Sequence, residues 1–429
     1  MYKRGYNDVK PNVRTYNAVI DTMYRCPNGN PKKAEELLRF MIQKYKEGDM
    51  DLQPDSFSFH ACIQCYTKSN DQYAGDKAIS LLEEMLQLRN DGILQTDRRI
   101  FSHISEWYAK NISNQAPEKA KQLLHMQIDI YQQDLQIHNR HNEKIMPNSF
   151  AFKNIMMMYT KTSQNAGTQN EQLLQLLQNF YQITECNPKC KPNIFLYNCV
   201  LEGYYKSGEL RFSAKKANDI LTFLEQQYQN GYDDLRPTSK TYIYTMSCYA
   251  KSREMGKARK TLNVLRRMQK QYDNGNPYTQ PNVQAYSLVI NAAAFTNHED
   301  VEEEKEALDV AKIAMKELDE CPYDNPNSIT YGSFMKVCAN LNLPKDTLEQ
   351  EAKIAFLKCC ENGQLNEYVL SQFKYAVSDS LFKEIIPNWD QLSDEKNNWN
   401  KNLPKEWSRN VPVKLLYDTR GNWWRSNIE

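Results

Sequence analysis

The residues that could do chemistry in this chain recur at three fixed positions of a repeated segment. Counted from an aromatic anchor in each segment, they are the first, fifth and ninth residues, which share one side of a helix at 100° per residue. In chain order they are Asn17, Asp21, Arg25; His60, Gln64, Lys68; Ser102, Glu106, Lys110; Lys153, Met157, Lys161; Asn198, Glu202, Lys206; and Ile243, Ser247, Lys251. Hydrogen-bonding groups aligned with a row of cations predict a repeating ligand, bound one unit per segment.

A simpler explanation of the cations stays open. Lys or Arg in the last turn of a helix interacts favourably with the exposed carbonyl groups and needs no ligand. That effect does not require Asn or Ser at the first position, nor Asn or Asp at the junction before the next segment. The combination favours the repeated ligand.

Helical hairpins are the elements that must position these residues. In Lys191–Gly208, a Pro-Asn start precedes Val200, Leu201 and Tyr204 on one helical face, and Ser207-Gly208 ends the helix. A second helix follows. The equivalent anchors are Tyr16, Phe59, Phe101, Phe152, Tyr197, Tyr242, Tyr286 and Tyr331. They lie 42 to 51 residues apart, which predicts an all-α solenoid of helical hairpins.

Composition limits the remaining possibilities. The 429 residues carry 54 Lys and Arg against 53 Asp and Glu, so any nucleic-acid site must come from local placement of charge. No apolar run is long enough to span a membrane. The eleven cysteines are expected to be reduced core residues, and the pair Cys186 and Cys190 lacks the partners that a zinc site needs.

We predict three segments along the chain. Residues 1–12 are expected to be the remnant of a preceding repeat, so that the chain would start inside a longer array and lack any targeting sequence. Residues 13–370 form about seven to eight repeats. Residues 371–429 are irregular and cap the last repeat, with ligand stacking as the less favoured alternative. This segment is rich in tryptophan: Trp389, Trp399, Trp407, Trp423 and Trp424.

The repeats resemble those of the pentatricopeptide repeat family. The shared features are an aromatic-Asn start, a Tyr-Tyr-Lys-Ser-Gly break, an Ala-x-x-Leu-Leu second helix and a Lys-Pro-Asn junction, over roughly Val13 to Tyr368. The repeats here exceed that family's usual length of about 35 residues, and the Trp-x-x-Leu-Gly signature of tetratricopeptide repeats is absent. The resemblance implies a right-handed superhelical solenoid that binds single-stranded RNA, with one base per repeat.

The resemblance also implies which residues read the bases. In that family the base is chosen by the residue after the first-helix anchor, together with the last residue of the repeat. The pairs here are Asn17 with Asp55, His60 with Asp97, Ser102 with Asn148, Lys153 with Asn193, Asn198 with Thr238, Ile243 with Asn282, and Ser287 with Asn327. The family's rule gives uracil for the first pair, adenine for the third and seventh, and a pyrimidine for the fifth. His60, Lys153 and Ile243 depart from the usual Asn, Ser or Thr.

Base stacking and phosphate contacts are implied as well. The base would lie against the residue three positions before each reading residue, where this chain has Arg14, Phe57, Arg99, Phe150 and Phe195, then Lys240, Gln284 and Ile329. Aromatic rings and guanidinium planes stack on bases. Phosphates would be bound by Arg25, Lys68, Lys110, Lys161, Lys206 and Lys251. Such contacts make affinity salt-dependent.

The sequence contains no phosphate-cradling glycine loop, nucleophile elbow or His-Glu-x-x-His helix, so we expect no catalysis, cofactor, metal or small-molecule substrate. A protein-binding scaffold is the competing hypothesis, and the acidic Asp21, Glu106 and Glu202 favour it. Members of the family mostly act on RNA processing, stability or translation in mitochondria or plastids. The resemblance therefore implies an organellar role, with protein partners of an organellar complex as a further expectation.

Overall fold

The computed structural model describes residues 10–26, 30–90, 94, 97–207, 212–296, 300–387 and 403–416. These residues form eighteen α-helices and several short 3₁₀ turns, and no strand occurs among them. The predicted all-α fold is confirmed. The handedness of a superhelix stays a prediction.

The helices alternate as the first and second members of hairpins. The first helices are α1 (Val13–Arg25), α3 (Ser56–Lys68), α5 (Arg98–Lys110), α7 (Ser149–Thr162), α9 (Ile194–Lys206), α11 (Ser239–Lys251), α13 (Val283–Ala294), α15 (Ser328–Asn340) and α17 (Glu367–Ala376). The second helices are α2 (Pro31–Lys46), α4 (Ala74–Asn90), α6 (Ala116–His138), α8 (Ala166–Ile183), α10 (Ser213–Gln229), α12 (Lys257–Asp273), α14 (Val301–Asp319), α16 (Lys345–Glu361) and α18 (Asp379–Ile385).

The chain divides into two compact units, Met1–Pro192 and Asn193–Glu429. The division falls at a Pro-Asn junction of the kind that separates the repeats. In the first unit, α1, α3, α5 and α7 pack side by side, and the second helices α2, α4 and α6 each pack against the first helix of the next hairpin. In the second unit, α9, α11, α13, α15 and α17 pack in the same way. Each unit is therefore a stack of helical hairpins.

The aromatic anchors lie in the core of these stacks. Phe59, Phe152, Tyr242 and Tyr331 are completely buried, and Phe101, Tyr197 and Tyr286 are nearly so. Tyr16, in the first described hairpin, is only half-buried. The repeat frame that the sequence predicts thus coincides with the packing of the first helices.

Tyrosine hydroxyls tie neighbouring hairpins together in the first unit. A tyrosine in the second half of a first helix donates to a carboxylate near the start of the preceding second helix. The pairs are Tyr66 with Glu35, Tyr108 with Asp76 at 3.1 Å, and Tyr159 with Glu118 at 2.7 Å. Burial raises the pKa of all three tyrosines, so each stays protonated and can donate.

A connector of the same build follows the second helices α2, α10 and α12. At the helix end, Gly48, Gly231 and Gly275 have positive φ, between 90° and 99°, and a short 3₁₀ turn then leads to the proline of the next junction. Glycine suits this left-handed position because it has no Cβ. Glu185 takes the same place after α8 with φ of 51°.

The extra length of the repeats lies in these connectors and in the second helices. In the first eight hairpins, the first helices have 12 to 14 residues, and the second helices have 16 to 23. The polar stretch from Gln132 to Lys144 begins inside α6, which runs to His138. Part of the extra length of this repeat therefore lies in its second helix and part in the connector that follows.

The helices continue beyond the end that the sequence pattern suggests. Helix α17 packs on α15 and is capped by Asn366, whose side chain accepts from Val369 N at 2.9 Å. Residues 371–385 are thus part of a further hairpin rather than irregular. In the segment 403–416, Trp407 O accepts from Leu365 N at 2.8 Å. The other four tryptophans of the predicted cap lie outside the described residues, as do residues 1–9.

All eleven cysteines are free thiols, and eight of them are buried. Burial raises the pKa of Cys65 to about 11 and that of Cys248 to about 12. The eight buried thiols are core side chains, as predicted, whereas Cys26 and Cys186 are exposed and Cys321 is half-buried. None of the helices in the described part of the chain is long and apolar enough to cross a membrane.

The close approach of α15 and α17 depends on Gly332. A Cβ at this residue would lie 2.1 Å from Cε1 of Tyr368. Gly332→Ala should lower the free energy of unfolding by about 1–3 kcal/mol through overpacking, although alanine elsewhere in a helix gains about 1 kcal/mol over glycine. Urea denaturation measures the difference. Adding Tyr368→Leu should remove the loss relative to Tyr368→Leu alone, and an equal loss in both backgrounds would contradict this explanation.

Candidate nucleic-acid interface

An Asn, Asp or Thr stands directly before each first helix. The side chain of Asp55 accepts from Ser58 N at 2.8 Å, and that of Asn282 accepts from Ala285 N at 3.0 Å. Asn148 and Asn193 make the same contact with Ala151 N and Leu196 N. These bonds satisfy amide groups that have no partner within the helix. The predicted second member of each reading pair is thus also a helix cap.

The first predicted reading pair is joined by one direct hydrogen bond and through Ser58. Asn17 Nδ2 donates to Asp55 Oδ1 at 3.0 Å, and Ser58 Oγ donates to Asn17 Oδ1 at 2.7 Å. Asn17 is only 6% exposed. The side chain of one first helix therefore bonds the capping residue of the next, and the two hairpins are held in register.

The same arrangement recurs in the second unit. Asn198 Nδ2 donates to Thr238 Oγ1 at 3.4 Å, and Thr241 Oγ1 donates to Asn198 Oδ1 at 2.9 Å. Ser287 Oγ lies 2.9 Å from Thr330 Oγ1, which in turn donates to Asn327 Oδ1. In three of the seven predicted pairs, the two residues thus belong to a hydrogen-bond network with a third residue.

That third residue is a Ser or Thr three positions after the cap: Ser58, Thr241 and Thr330. It was missed by the sequence analysis, although the capping-box pattern of two hydroxyl-bearing or amide side chains three apart could have identified it.

The second repeat has a histidine pair in place of this network. His60 Nε2 lies 2.9 Å from His103 Nδ1, and the rings stack with centroids 4.9 Å apart. Burial lowers the pKa of His60 to about 4 and also lowers that of His103. Both rings are therefore neutral at pH 7, and His60 adds no positive charge to a ligand site.

Two reading positions differ from the others in their surroundings. Ile243 is 6% exposed, so its side chain lies in the core, and unlike Asn17 it has no hydrogen-bonding group to offer at the reading position. An apolar side chain at this position gains more from burial than from exposure. Lys153 is half-buried, with its Nζ 5.3 Å from the ring centroid of Phe150 in the same helix.

The predicted stacking residues share a high exposure. Phe57 and Phe150 are 49% exposed, and Phe195 is 45% exposed, whereas the anchor two residues after each of them is buried. Arg14 and Arg99 are exposed at the equivalent position, and Arg99 forms an ion pair with Asp97 at 2.9 Å. Large side chains are thus presented to solvent at one register of α1, α3, α5 and α7 in the first unit and of α9 in the second.

Four of the six predicted phosphate cations have contacts within the protein. Arg25 pairs with Asp21 at 2.6 Å, and Lys206 pairs with Glu202 at 2.8 Å. These acids occupy the middle position of the same row, so charge is partly neutralised there. Exposed pairs of this kind contribute about 0–1 kcal/mol each and can exchange partners.

Two other cations reach back to the preceding first helix. Lys68 Nζ donates to Tyr24 O at 3.0 Å, and Lys251 Nζ donates to Tyr205 O at 2.8 Å. Each also lies over the ring of the tyrosine that it contacts. The carbonyl contact is the helix-end interaction weighed as the simpler explanation of the cations. Lys110 and Lys161 are exposed at the same position.

No group of three or more His, Cys, Asp or Glu side chains is placed to hold a metal within the described ranges. Cys190, of the pair considered for zinc, is buried and its Sγ donates to Pro147 O at 3.2 Å. Burial raises the pKa of this thiol to about 11. Cys190 therefore links two successive connectors.

No protein-family model and no curated protein matches the sequence. The chain is similar to the crystal structure of the pentatricopeptide repeat protein PPR10 from maize, with 14% identity and a TM-score of 0.38 over 89% of this chain. It is also similar to PPR10 in complex with an 18-nt psaJ RNA element, with 16% identity and a TM-score of 0.31 over 88% of this chain. The chain spans only 54% and 56% of the length of these structures.

The network around Asn17 should contribute to stability independently of any ligand. Asn17→Ala leaves Asp55 and Ser58 without their inter-hairpin partner and should lower the free energy of unfolding by about 1–2 kcal/mol. Ser102 is the matched control, because no hydrogen bond of its hydroxyl occurs among the described residues. Ser102→Ala should therefore change stability by less than about 0.5 kcal/mol. Equal losses in the two variants, measured by urea denaturation, would contradict the network's role.

Proposed function

We propose that this protein binds single-stranded RNA along the first helices of its hairpins. The observation that carries the proposal is the set of half-exposed Phe57, Phe150 and Phe195 at one position of the repeat, each beside a reading residue. Exposed phenylalanine is costly in water, but it provides a face on which any base can stack. Arg14 and Arg99 offer a guanidinium plane at the same position.

Charge around these side chains supports the proposal. Lys153 lies over the ring of Phe150, and the exposed Lys110 and Lys161 stand at the far ends of α5 and α7. A base on the ring and a phosphate on the lysine would satisfy both groups at once. Because the net charge of the chain is only +1, attraction for RNA would come from such local cations.

The reading of one base per repeat is part of the same proposal, and the first pair shows how it could operate. Asn17 Nδ2 carries two hydrogens, of which one is donated to Asp55 Oδ1. No hydrogen bond to Asp55 Oδ2 occurs in the described part of the chain. The pair thus offers a donor next to an acceptor, which matches the carbonyl oxygen and N3–H of uracil.

A protein-binding scaffold is the second candidate, and a specific observation favours it. The pairs Arg25 with Asp21 and Lys206 with Glu202 place both signs of charge on the surface assigned to phosphates. An organellar setting, in a mitochondrion or plastid, belongs to the RNA proposal through the family resemblance. Neither candidate includes a catalytic step.

The first test is binding of the purified chain to a pool of random single-stranded RNA at two salt concentrations. Binding should weaken at the higher salt, because phosphate contacts release counterions. Each of Phe57→Ala, Phe150→Ala and Phe195→Ala should reduce affinity by about 1–3 kcal/mol, or roughly 5- to 150-fold.

Phe40→Ala is the matched control, since Phe40 is 41% exposed but lies on the second helix α2. It should leave affinity unchanged. Equal losses from Phe40→Ala and Phe57→Ala would exclude stacking along the first helices. No binding by the unaltered chain at low salt would overturn the RNA proposal in favour of the scaffold.

Base reading is tested by exchanging one pair for another. Ser102 with Asn148 should prefer adenine, and Asn17 with Asp55 should prefer uracil. The double variant Ser102→Asn, Asn148→Asp should therefore change the preferred base from adenine to uracil at one position of a selected RNA motif. Asparagine and aspartate are both good helix caps, so stability should be preserved. A motif that stays the same, or changes at several positions, would contradict one-base reading.

A further inference from the structure

A cavity of about 410 Å³ lies in the second unit, beside the C-terminal ends of α12 and α14. Its volume is within the range of about 300–1,000 Å³ that is typical of ligand sites. Three tyrosines form its aromatic wall: Tyr272, Tyr286 and Tyr323. Tyr286 is buried, whereas Tyr323 is 61% exposed at the mouth. The rings of Tyr272 and Tyr323 meet edge to face with centroids 6.2 Å apart.

Acidic groups outnumber basic ones around this cavity. Among the lining residues, Asp273, Glu317 and Glu320 outnumber Arg266, so the lining carries a formal charge of −2, and Lys316 lies just outside it, 3.9 Å from Glu320. Arg266 is engaged with Glu317, to which it donates from both terminal nitrogens. Glu320 and Asp273 are exposed at the rim. An aromatic wall with an acidic rim suits a cation, because the ring faces and the carboxylates are both negative.

The preceding repeat has a tyrosine pair that holds a cation of the chain itself. There, the guanidinium carbon of Arg236 lies 5.3 Å from the ring centroid of Tyr228 and 5.6 Å from that of Tyr278. Arg236 Nη2 also pairs with Asp233 at 2.8 Å. One guanidinium is thus held by two tyrosine rings and one carboxylate.

The two repeats place these tyrosines at matching positions. Tyr228 and Tyr272 each stand nine residues before a junction proline, and Tyr278 and Tyr323 each stand three residues before the next one. Arg236 directly precedes Pro237, but the residue directly before Pro281 is Gln280. Arg236 thus lies on one tyrosine pair, whereas the equivalent position before the following pair's junction proline holds Gln280.

We propose that the cavity at Tyr272 and Tyr323 binds the guanidinium group of an arginine residue from another polypeptide. The planar guanidinium stacks on the tyrosine rings and directs its N–H groups at Glu320 and Asp273. Lysine is a poorer fit, because its compact ammonium does not stack and is strongly hydrated. Most of the site lies on the second helices α12 and α14 and their connectors, with Tyr286 contributed by the first helix α13, and it does not depend on RNA binding by the first helices.

The test uses the full chain and blocked amino acids as probes. Ligand-observed NMR titration measures the dissociation constants of N-acetyl-arginine amide, N-acetyl-lysine amide and N-acetyl-citrulline amide. Citrulline has the shape of arginine without the charge. The arginine probe should bind weakly, with a dissociation constant on the order of 1 mM, and the lysine probe should bind several-fold more weakly. The citrulline probe should not bind.

Variants locate the binding at the cavity. Tyr323→Leu should weaken the arginine probe by about 3- to 30-fold through loss of a cation–π contact, and Glu320→Gln should weaken it about threefold. The matched controls are Tyr375→Leu, an exposed tyrosine on α17, and Asp309→Asn, an exposed acid on α14. Both controls should bind like the unaltered chain.

Gln280→Arg gives the sharpest test, because it restores the arginine of the preceding repeat. The new side chain should occupy the cavity and abolish binding of the probe, while thermal unfolding stays unchanged or rises. Continued binding by Gln280→Arg, or equal binding of the arginine and citrulline probes, would overturn the proposal.

Titration with free arginine distinguishes an arginine residue of a polypeptide from the free amino acid as the ligand. Its ammonium and carboxylate are absent from an arginine residue within a polypeptide. If free arginine binds no better than the blocked probe, the polypeptide source holds. Binding at least tenfold tighter than the blocked probe would assign the site to the free amino acid instead.

Discussion

Hydrogen bonds at the start of each first helix determine how the hairpins stack. A helix begins with amide groups that have no partner inside it, and the side chain of the preceding Asn, Asp or Thr satisfies them. In the first repeat, Asp55 also binds Asn17 of the previous first helix. One residue thus fixes both where a helix begins and how it is aligned with its neighbour. The candidate RNA surface depends on these bonds, because each exposed phenylalanine follows its capping residue by only two positions.

Much of the fold could be predicted from the sequence because the same pattern of residues recurs in every repeat. The anchors, caps and hairpins follow from spacing alone, and a buried residue such as Phe152 is expected from its place in the frame. Register does not determine burial at every position, however. Ile243 stands where other repeats have a polar residue, and only its packing shows that it belongs to the core. The hairpin at α17 escaped detection because no proline precedes its cap, Asn366.

The candidate site was harder to predict because its residues have two uses. Asn17, Thr238 and Lys251 stabilise contacts between hairpins, and these contacts would favour the same residue types in a protein without a ligand. A sequence pattern cannot separate the two uses, since both repeat with the hairpin. Exposure separates them better. Phe57, Phe150 and Phe195 gain little for the fold by remaining half in water, so their repetition is the stronger sign of a binding surface.

The difference in length between the two kinds of helix affects how such a chain can change over generations. The first helices hold to 12–14 residues in the first eight hairpins, while a second helix such as α6 reaches 23. Insertions in a second helix or its connector leave the spacing of neighbouring first helices intact. Changes in length are therefore accommodated in one layer of each unit, and most residues that line the cavity beside α12 and α14 belong to that layer. New binding sites can arise there without disturbing the surface formed by the first helices.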